Sequence, residues 1–325
     1  MADYKGIKGF TIPNVSSDPS NLAQGQIWYN STTDTLKGAG AGVGSWASAS
    51  NINTARQELF GTGPGIAGML VNGTTDGTDA NQVTNTEVFD GTSWAEVNDT
   101  DQRRQDGASA GVATSALVTA GFSGYPPGAS ATTETFDGTT WSEETDISNG
   151  VQGRRGLGAS VTAALIVSAA PSNNCELWNG SSWSELNNQL TNRNGQATFG
   201  TSTAGIGAGG TNYTAIVESW NGTSWTEVND LNTARQFASA GGIQTAGLVF
   251  GGAEAPGAGG QSTKTESFDG TSWTEVGDLA TAKYYGAGGG TQSSAIYGAG
   301  RAPGSTNTSE QWNVPDVTTV TVTTS

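Results

Sequence analysis

One phrase, TESFDGTSWTEV at 265–276, recurs along the whole chain. It reads TEVFDGTSWAEV at 86–97, TETFDGTTWSEE at 133–144, CELWNGSSWSEL at 175–186 and VESWNGTSWTEV at 217–228. A sixth copy, SEQWNV at 309–314, stops before its second half, and the missing Trp segment stands at the other end as GSWASASNINTARQ, 44–57. A spacing of 42 to 48 residues means one supersecondary unit per repeat, each stacked on its neighbours. A repeat divided between the two ends predicts a closed ring in which the N-terminal side completes the last unit. An open solenoid, the alternative, gains nothing from such a division.

Within a unit the residues spell four short strands. Asp-Gly or Asn-Gly ahead of a Ser/Thr pair and Trp is a hairpin signal, since both dipeptides accept the positive φ of tight turns. Taken as a two-residue turn at Asp90-Gly91, the hairpin sets Phe89 opposite Thr92 and Glu87 opposite Trp94. Upstream come apolar runs, ALVTAG (116–121), ALIVSA (164–169), GLVFGG (247–252) and AIYGAG (295–300), and before them small-residue runs such as GASAG (107–111) and YGAGGG (285–290). Four strands per repeat describe a propeller blade, with the Gly/Ala strand at the crowded axis and the Trp strand at the rim. Trp46, Trp94, Trp141, Trp183, Trp225 and Trp273 mark the six outer strands. The division of the sixth unit leaves no unpaired edge at the seam.

Composition narrows the function classes. The 49 glycines lack a period of three, which excludes collagen, and no run reaches the ~18 apolar residues of a membrane span. The start, MADYKGIKGF, has no apolar signal-peptide core. A net charge of −16 disfavours nucleic acid. The chain has no histidine, which removes the commonest general base and metal ligand. Its single cysteine, Cys175, fills a slot that is Thr or Val in sister repeats and reads as a buried structural thiol.

The carboxylates recur with the repeat. Glu87, Glu134, Glu176, Glu218, Glu266 and Glu310 form one set, and Glu96, Glu143, Glu185, Glu227 and Glu275, two residues after each Trp, form another. Catalysis needs a residue once, so a residue present in every blade reads as one that holds blades together. Arg56, Arg104, Arg193, Arg235 and Lys283 each follow a blade Trp by ten residues and Arg155 follows its Trp by fourteen. The expectation is a ring of partly buried ion pairs between these cations and the first glutamate set.

The turns between strands three and four are nearly constant, whereas the loops between strands two and three vary from SAAPSNN (168–174) to NGTTDGTDANQVTN (72–85). The connection DISNGVQGRR (146–155) is also long. Variable loops on a rigid scaffold are where binding resides. Tyr125, Tyr213 and Arg301 are the loop side chains suited to stack on or hydrogen-bond a sugar, a neutral one given the acidic charge.

The repeats, each with a Gly-ending strand, an aromatic residue and then Trp, resemble kelch repeats. The words DYKGIKGF (3–10), GQIWYNSTTDTLK (25–37) and NGTSWTEVNDLNTARQ (221–236) are similar to those of kelch-type proteins of tailed bacteriophages, marine and cyanobacterial phages in particular. The tandem Gly-Gly of a typical kelch strand stands only at Gly209–Gly210 and Gly251–Gly252. The resemblance implies an all-β, six-bladed kelch-like propeller over 43–315 with a split last blade. Residues 1–42 would be a virion-attachment or oligomerisation segment, and 316–325 a β-prone tail, frayed or paired with another chain. It implies a non-enzymatic virion structural protein (tail fibre, spike or decoration) assembled in the bacterial cytoplasm, bound to other virion proteins through 1–42 and to a host-surface glycan or receptor. Homo-oligomers fit this role, while nucleic acid, membrane insertion, cofactors and metals are not expected. The other classes are an intracellular kelch-type adaptor and a glycan-processing propeller enzyme.

Overall fold

Strand order follows the repeat. The computed structural model describes residues 12–20, 25–124, 127–167, 169, 171–256, 260–315 and 317–322. They divide into two units, one drawn from 1–44 and 314–325, the other spanning 45–313.

Among the described residues the larger unit holds six four-stranded antiparallel sheets and a two-stranded hairpin, Phe122–Gly124 with Pro127–Ala129. Blade one is Phe60–Thr62, Met69–Val71, Thr86–Phe89 and Trp94–Val97, innermost strand first. Blade two is Ala108–Val112, Ser115–Thr119, Thr133–Phe136 and Trp141–Glu143. Blade three is Arg155–Leu157, Ala164–Val167, Cys175–Trp178 and Trp183–Leu186, and blade four is Ala197–Gly200, Gly205–Ala208, Val217–Trp220 and Trp225–Val228. Blade five is Ser239–Ile243, Ala246–Phe250, Thr265–Phe268 and Trp273–Glu275. Blade six takes Ala287–Gly290, Ser294–Gly298 and Ser309–Asn313 from one end of the unit and Ser45–Ala49 from the other, with Trp46 opposite Trp312. Each innermost strand touches the next around the ring, and the sixth touches the first. The split last blade is therefore the seam of a closed β-propeller.

Glycine lines the axis because the inner strands nearly touch there. A β-carbon on Gly156 would stand 2.0 Å from the Ser109 carbonyl oxygen of the preceding blade, and one on Gly241 would stand 2.7 Å from Gly290 N of the following one. At the wide rim tryptophans fill the space, and all of their indole N–H groups but that of Trp225 reach back toward the preceding blade. Trp94 donates to Ser309 Oγ at 3.2 Å, Trp46 to Thr265 Oγ1 at 2.8 Å and Trp141 to the Asn98 carbonyl at 3.0 Å. Cys175 is buried.

The hairpin register differs from the two-residue expectation. Phe89 pairs with Trp94 and Glu87 with Glu96, so the turn spans four residues, Asp90 to Ser93. The reason lies in the Asp side chain. Asp90 Oδ1 accepts the N–H groups of Thr92 and Ser93, both at 2.8 Å, and Gly91 supplies φ 94°. The longer turn brings the repeat's two aromatics together, with ring centroids 5.0 Å apart in blade one and 4.7 Å in blade five.

The first glutamate set is buried without exception. One carboxylate oxygen of each accepts a backbone N–H from the connection arriving from the previous blade: Asn53 to Glu87 at 2.7 Å, Asp101 to Glu134 at 2.7 Å, Ser148 to Glu176 at 2.9 Å, Leu190 to Glu218 at 2.8 Å, Asn232 to Glu266 at 2.7 Å and Ala280 to Glu310 at 2.6 Å. The other oxygen faces the cation of that connection, as in Arg56–Glu87 and Arg193–Glu218 at 3.1 Å, Arg104–Glu134 and Arg235–Glu266. The pairs are fully rather than partly buried. In blade three Arg154, not Arg155, takes the role, at 3.3 Å from Glu176. The long connection shifts the register by one residue and releases Arg155 to pair with Asp106 at 2.9 Å. Blade six uses Lys283, 3.9 Å from Glu310, whose pKa burial lowers to about 8 against the pull of that carboxylate. Arg235 also donates to the Gly251 and Lys264 carbonyls, on either side of its blade's strand 2–3 loop. The second glutamate set does not join blades. It lies exposed on the outer strands.

The double-glycine conformation survives where the first glycine is lost. Asn72-Gly73, Ala120-Gly121 and Ala299-Gly300 hold positive φ at both residues, as Gly209-Gly210 and Gly251-Gly252 do.

The smaller unit is one four-stranded sheet in the order Asn14–Val15, Ile27–Asn30, Thr35–Ala41 and Val317–Thr321. The C-terminal tail supplies the last of these strands, as an edge strand paired within its own chain. It runs antiparallel to the Thr35–Ala41 strand, with Val320 opposite Gly38. Asp18 gathers this unit by accepting from Trp28 Nε1 at 3.0 Å, Asn30 Nδ2 at 2.7 Å and Lys37 Nζ at 2.7 Å. The Lys37 ammonium first, then the Asn30 and Trp28 donors, lower its pKa to about 2. The words DYKGIKGF lie outside the described residues.

Two outcomes test this architecture. Removing 1–44 with 316–325 leaves every propeller strand in place, so that variant should melt close to the full chain. Removing 1–50 takes the outer strand of blade six and should melt far lower, and Trp46→Ala, half-buried, should cost about 3 kcal/mol. Equal melting temperatures for the two truncations contradict the split blade. Separately, Glu218→Ala strands Arg193 without its counter-charge and should cost about 3–5 kcal/mol in denaturant titration. Arg193→Met combined with Glu218→Leu removes the unpaired charge but leaves the Leu190 and Thr191 amides without their acceptor, and should recover only part of that loss.

Candidate functional site

On the face that carries the strand 2–3 loops, the ring is closed by a circle of backbone hydrogen bonds. Glu58 N donates to Tyr285 O at 2.8 Å, Asp106 N to Glu58 O at 2.8 Å and Gly153 N to Asp106 O at 2.7 Å. Gly195 N donates to Gly153 O at 3.4 Å, Phe237 N to Gly195 O at 2.7 Å and Tyr285 N to Phe237 O at 3.3 Å, which completes the circle. One residue per blade takes part. All hold positive φ: 57° at Glu58, 50° at Asp106, 85° at Gly153, 66° at Gly195, 58° at Phe237 and 56° at Tyr285. The left-handed turn aims each amide at its neighbour around the axis rather than along its own strand.

Two blades use glycine there, the residue that adopts this conformation without strain. Four do not. Glu58 and Asp106 make an acidic sector, and Phe237 and Tyr285 an aromatic one that adjoins it where Tyr285 meets Glu58. Phe237 and Tyr285 stack at 4.0 Å between centroids, and Tyr284 joins Tyr285 at 4.8 Å. Gly195 is bare because Phe237 lies over it: a β-carbon there would stand 2.4 Å from the ring. Two arginines border the group. Arg155 holds Asp106, and Arg301 sits 6.0 Å above the Tyr284 ring with its Nε donating to the Pro303 carbonyl at 3.1 Å.

Glu58 is half-buried, and its carboxylate takes no hydrogen bond from the described residues. Burial first, then the Asp106 carboxylate, raise its pKa to about 7, against the opposing pull of Arg301 and Arg155. Burial, with Asp106 and Glu58 behind it, also pushes the Tyr285 phenol up. Counted as ions, two carboxylates and two guanidiniums leave the cluster close to neutral within a strongly acidic protein. Hydrogen-bond acceptors, donors and aromatic faces stand side by side, a set that holds polar organic molecules.

The three loop residues singled out in the sequence part company. Tyr125 lies outside the described residues. Tyr213, at φ 54°, lines an open depression of about 550 Å³ on blade four with Thr191, Asn192 and Thr211. Arg301 belongs to the axial cluster, two blades away. The blade tryptophans are structural: Trp94, Trp141, Trp225 and Trp273 are buried, and Trp46 and Trp183 half-buried. The sequence reading overlooked Glu58, Asp106, Phe237, Tyr284 and Tyr285, although a signal existed. In TARQE (54–58), RRQD (103–106), ARQF (234–237) and AKYY (282–285) the residue two beyond the repeat cation differs each time, Glu, Asp, Phe and Tyr in turn. Among the described residues no group of three or more His, Cys, Asp or Glu side chains is placed to hold a metal ion.

No family model matches the chain, and no curated protein does. Among solved structures, that of YjhT aligns with a TM-score of 0.68, covering 83% of this chain and 99% of that one at 13% identity. The shared feature is the β-propeller fold. Nothing about activity passes between chains this far apart in sequence.

The raised Glu58 pKa has a measurable sign. The folded chain keeps a proton that an unfolded chain releases near 4.5. The stability from this group is therefore full below that pH and lost as pH rises through 7. Relative to Glu58→Gln, the unchanged protein should lose stability between about pH 5 and pH 8, by about 2 kcal/mol once its partial exposure is allowed for. Parallel stability–pH curves for the two proteins contradict the assignment.

Proposed function

We propose that the chain is a non-enzymatic structural protein of a tailed-bacteriophage particle, assembled in the bacterial cytoplasm. In this reading the smaller unit docks on other virion proteins or on sister copies, and the propeller is presented to the host surface. One observation carries the reading. The first and last strands of the chain are gathered into a sheet of their own, and the ring closes with its own split blade. Such a chain separates a mounting unit from a presented head. The mounting unit also exposes apolar side chains unusual on a small sheet, with Val320 46% and Val322 41% accessible beside Ile27 at 40%. The phage-like wording GQIWYNSTTDTLK falls in this same unit.

A non-catalytic role follows from where the charges are spent. The buried glutamates are committed to backbone amides and to arginines or Lys283, and Asp106 is committed to Arg155. Glu58 stands alone, whereas general acid–base hydrolysis of a glycosidic bond takes two available carboxyl groups. A displayed head needs affinity only.

Mass spectrometry of purified particles tests the role. The chain should be present at a fixed copy number per particle and absent from particles assembled without its mounting unit. Absence from intact particles overturns the reading. Release of nitrophenol from p-nitrophenyl glycosides by the purified chain overturns its non-enzymatic part.

A further inference from the structure

We infer that the axial cluster of Glu58, Asp106, Arg155, Tyr284, Tyr285 and Arg301, beside Phe237, is a binding site for a single neutral pyranose unit of a glycan. This deepens the display role, on which it rests only for the source of the sugar. The argument begins with strain. At the circle position Gly153 and Gly195 prove that the fold closes without a side chain, yet Glu58, Asp106, Phe237 and Tyr285 occupy the left-handed region at φ 50° to 58°. A bulky or charged residue there costs folding free energy that glycine does not, and strained conformations of this kind gather at functional positions. A residue kept against that cost is kept for its side chain.

The side chains then specify the ligand. The half-exposed rings of Tyr284 and Tyr285, tilted 37° to one another, offer a shallow apolar surface for the C–H face of a sugar ring. Glu58, whose carboxylate takes no hydrogen bond from the described residues, accepts from ring hydroxyls. The Arg301 guanidinium, held over Tyr284, donates to hydroxyl oxygens at the edge of that surface. Hydroxyls both give and accept, so a polyol satisfies carboxylate and guanidinium together. Opposed charges in equal number disfavour an ionic ligand. A sialoside would bring its carboxylate against Glu58 and Asp106. An ammonium group, though suited to the aromatic faces, would meet Arg301 and Arg155.

The experiment uses the full-length protein with methyl β-D-galactopyranoside, methyl β-D-glucopyranoside and methyl α-D-mannopyranoside as probes. Methyl α-sialoside and tetramethylammonium chloride are the charged comparisons, and binding is followed by saturation-transfer NMR. At least one neutral pyranoside should bind saturably. Tyr284→Ala and Glu58→Gly should each weaken it tenfold or more. Glu58→Gly should melt at or above the unchanged protein, because glycine relieves both the left-handed strain and the desolvated carboxylate. The inference falls if no neutral probe binds, if either charged probe binds in preference, or if Glu58→Gly melts lower with binding unchanged. A chain found in particles that binds none of the sugars keeps the display role and loses this site.

Discussion

Six carboxylates hold this ring together. Each sits in the third strand of its blade, out of water, with one oxygen on a backbone amide of the incoming connection and the other facing a buried cation. A propeller blade has its own sheet hydrogen bonds, but nothing in a sheet fixes where the chain enters from the previous blade. The buried glutamate supplies that instruction. Irregular connections must satisfy their amides somewhere, and here the acceptor belongs to the next blade. Burying the charge is costly unless it is fully met. Arginine meets it, and then reaches carbonyls beside the strand 2–3 loop, so connection, strand and loop become one object.

Much of this was legible because it repeats. Blade count, the split sixth unit, the inner Gly/Ala strands and the rim tryptophans all follow from period and residue size. What escaped depended on single atoms. The hairpins gained two residues because Asp and Asn side chains accept turn amides, an option that the Asp-Gly dipeptide alone does not reveal. The blade-three cation moved from Arg155 to Arg154 because two arginines stand together at the end of a longer connection. Alternation marked the C-terminal tail as a strand, yet pairing depends on an edge, and Thr35–Ala41 provides one within the same chain.

The site was harder to read than the scaffold. Of the loop residues that chemistry and loop variability single out, Arg301 stands in the axial cluster and Tyr213 does not, while Tyr125 lies outside the described residues. The positions at the axis lie in the connections between blades, close to the repeat cation, and differ from one repeat to the next. What sets Glu58, Asp106, Phe237 and Tyr285 apart is their backbone conformation, which no pattern of hydropathy records. The buried repeating charges serve the ring, while Glu58, Asp106, Arg155 and Arg301 gather where the ring's symmetry is broken.

Amide hydrogen exchange probes the carboxylate clamp most directly. Asn53, Asp101, Ser148, Leu190, Asn232 and Ala280 lie outside regular strands, yet each donates to a buried glutamate. Their amides should exchange as slowly as those of the central strands, opening only with the ring as a whole. Exchange at the rate of ordinary surface loops at these positions would contradict the claim that the glutamates hold the blades in register.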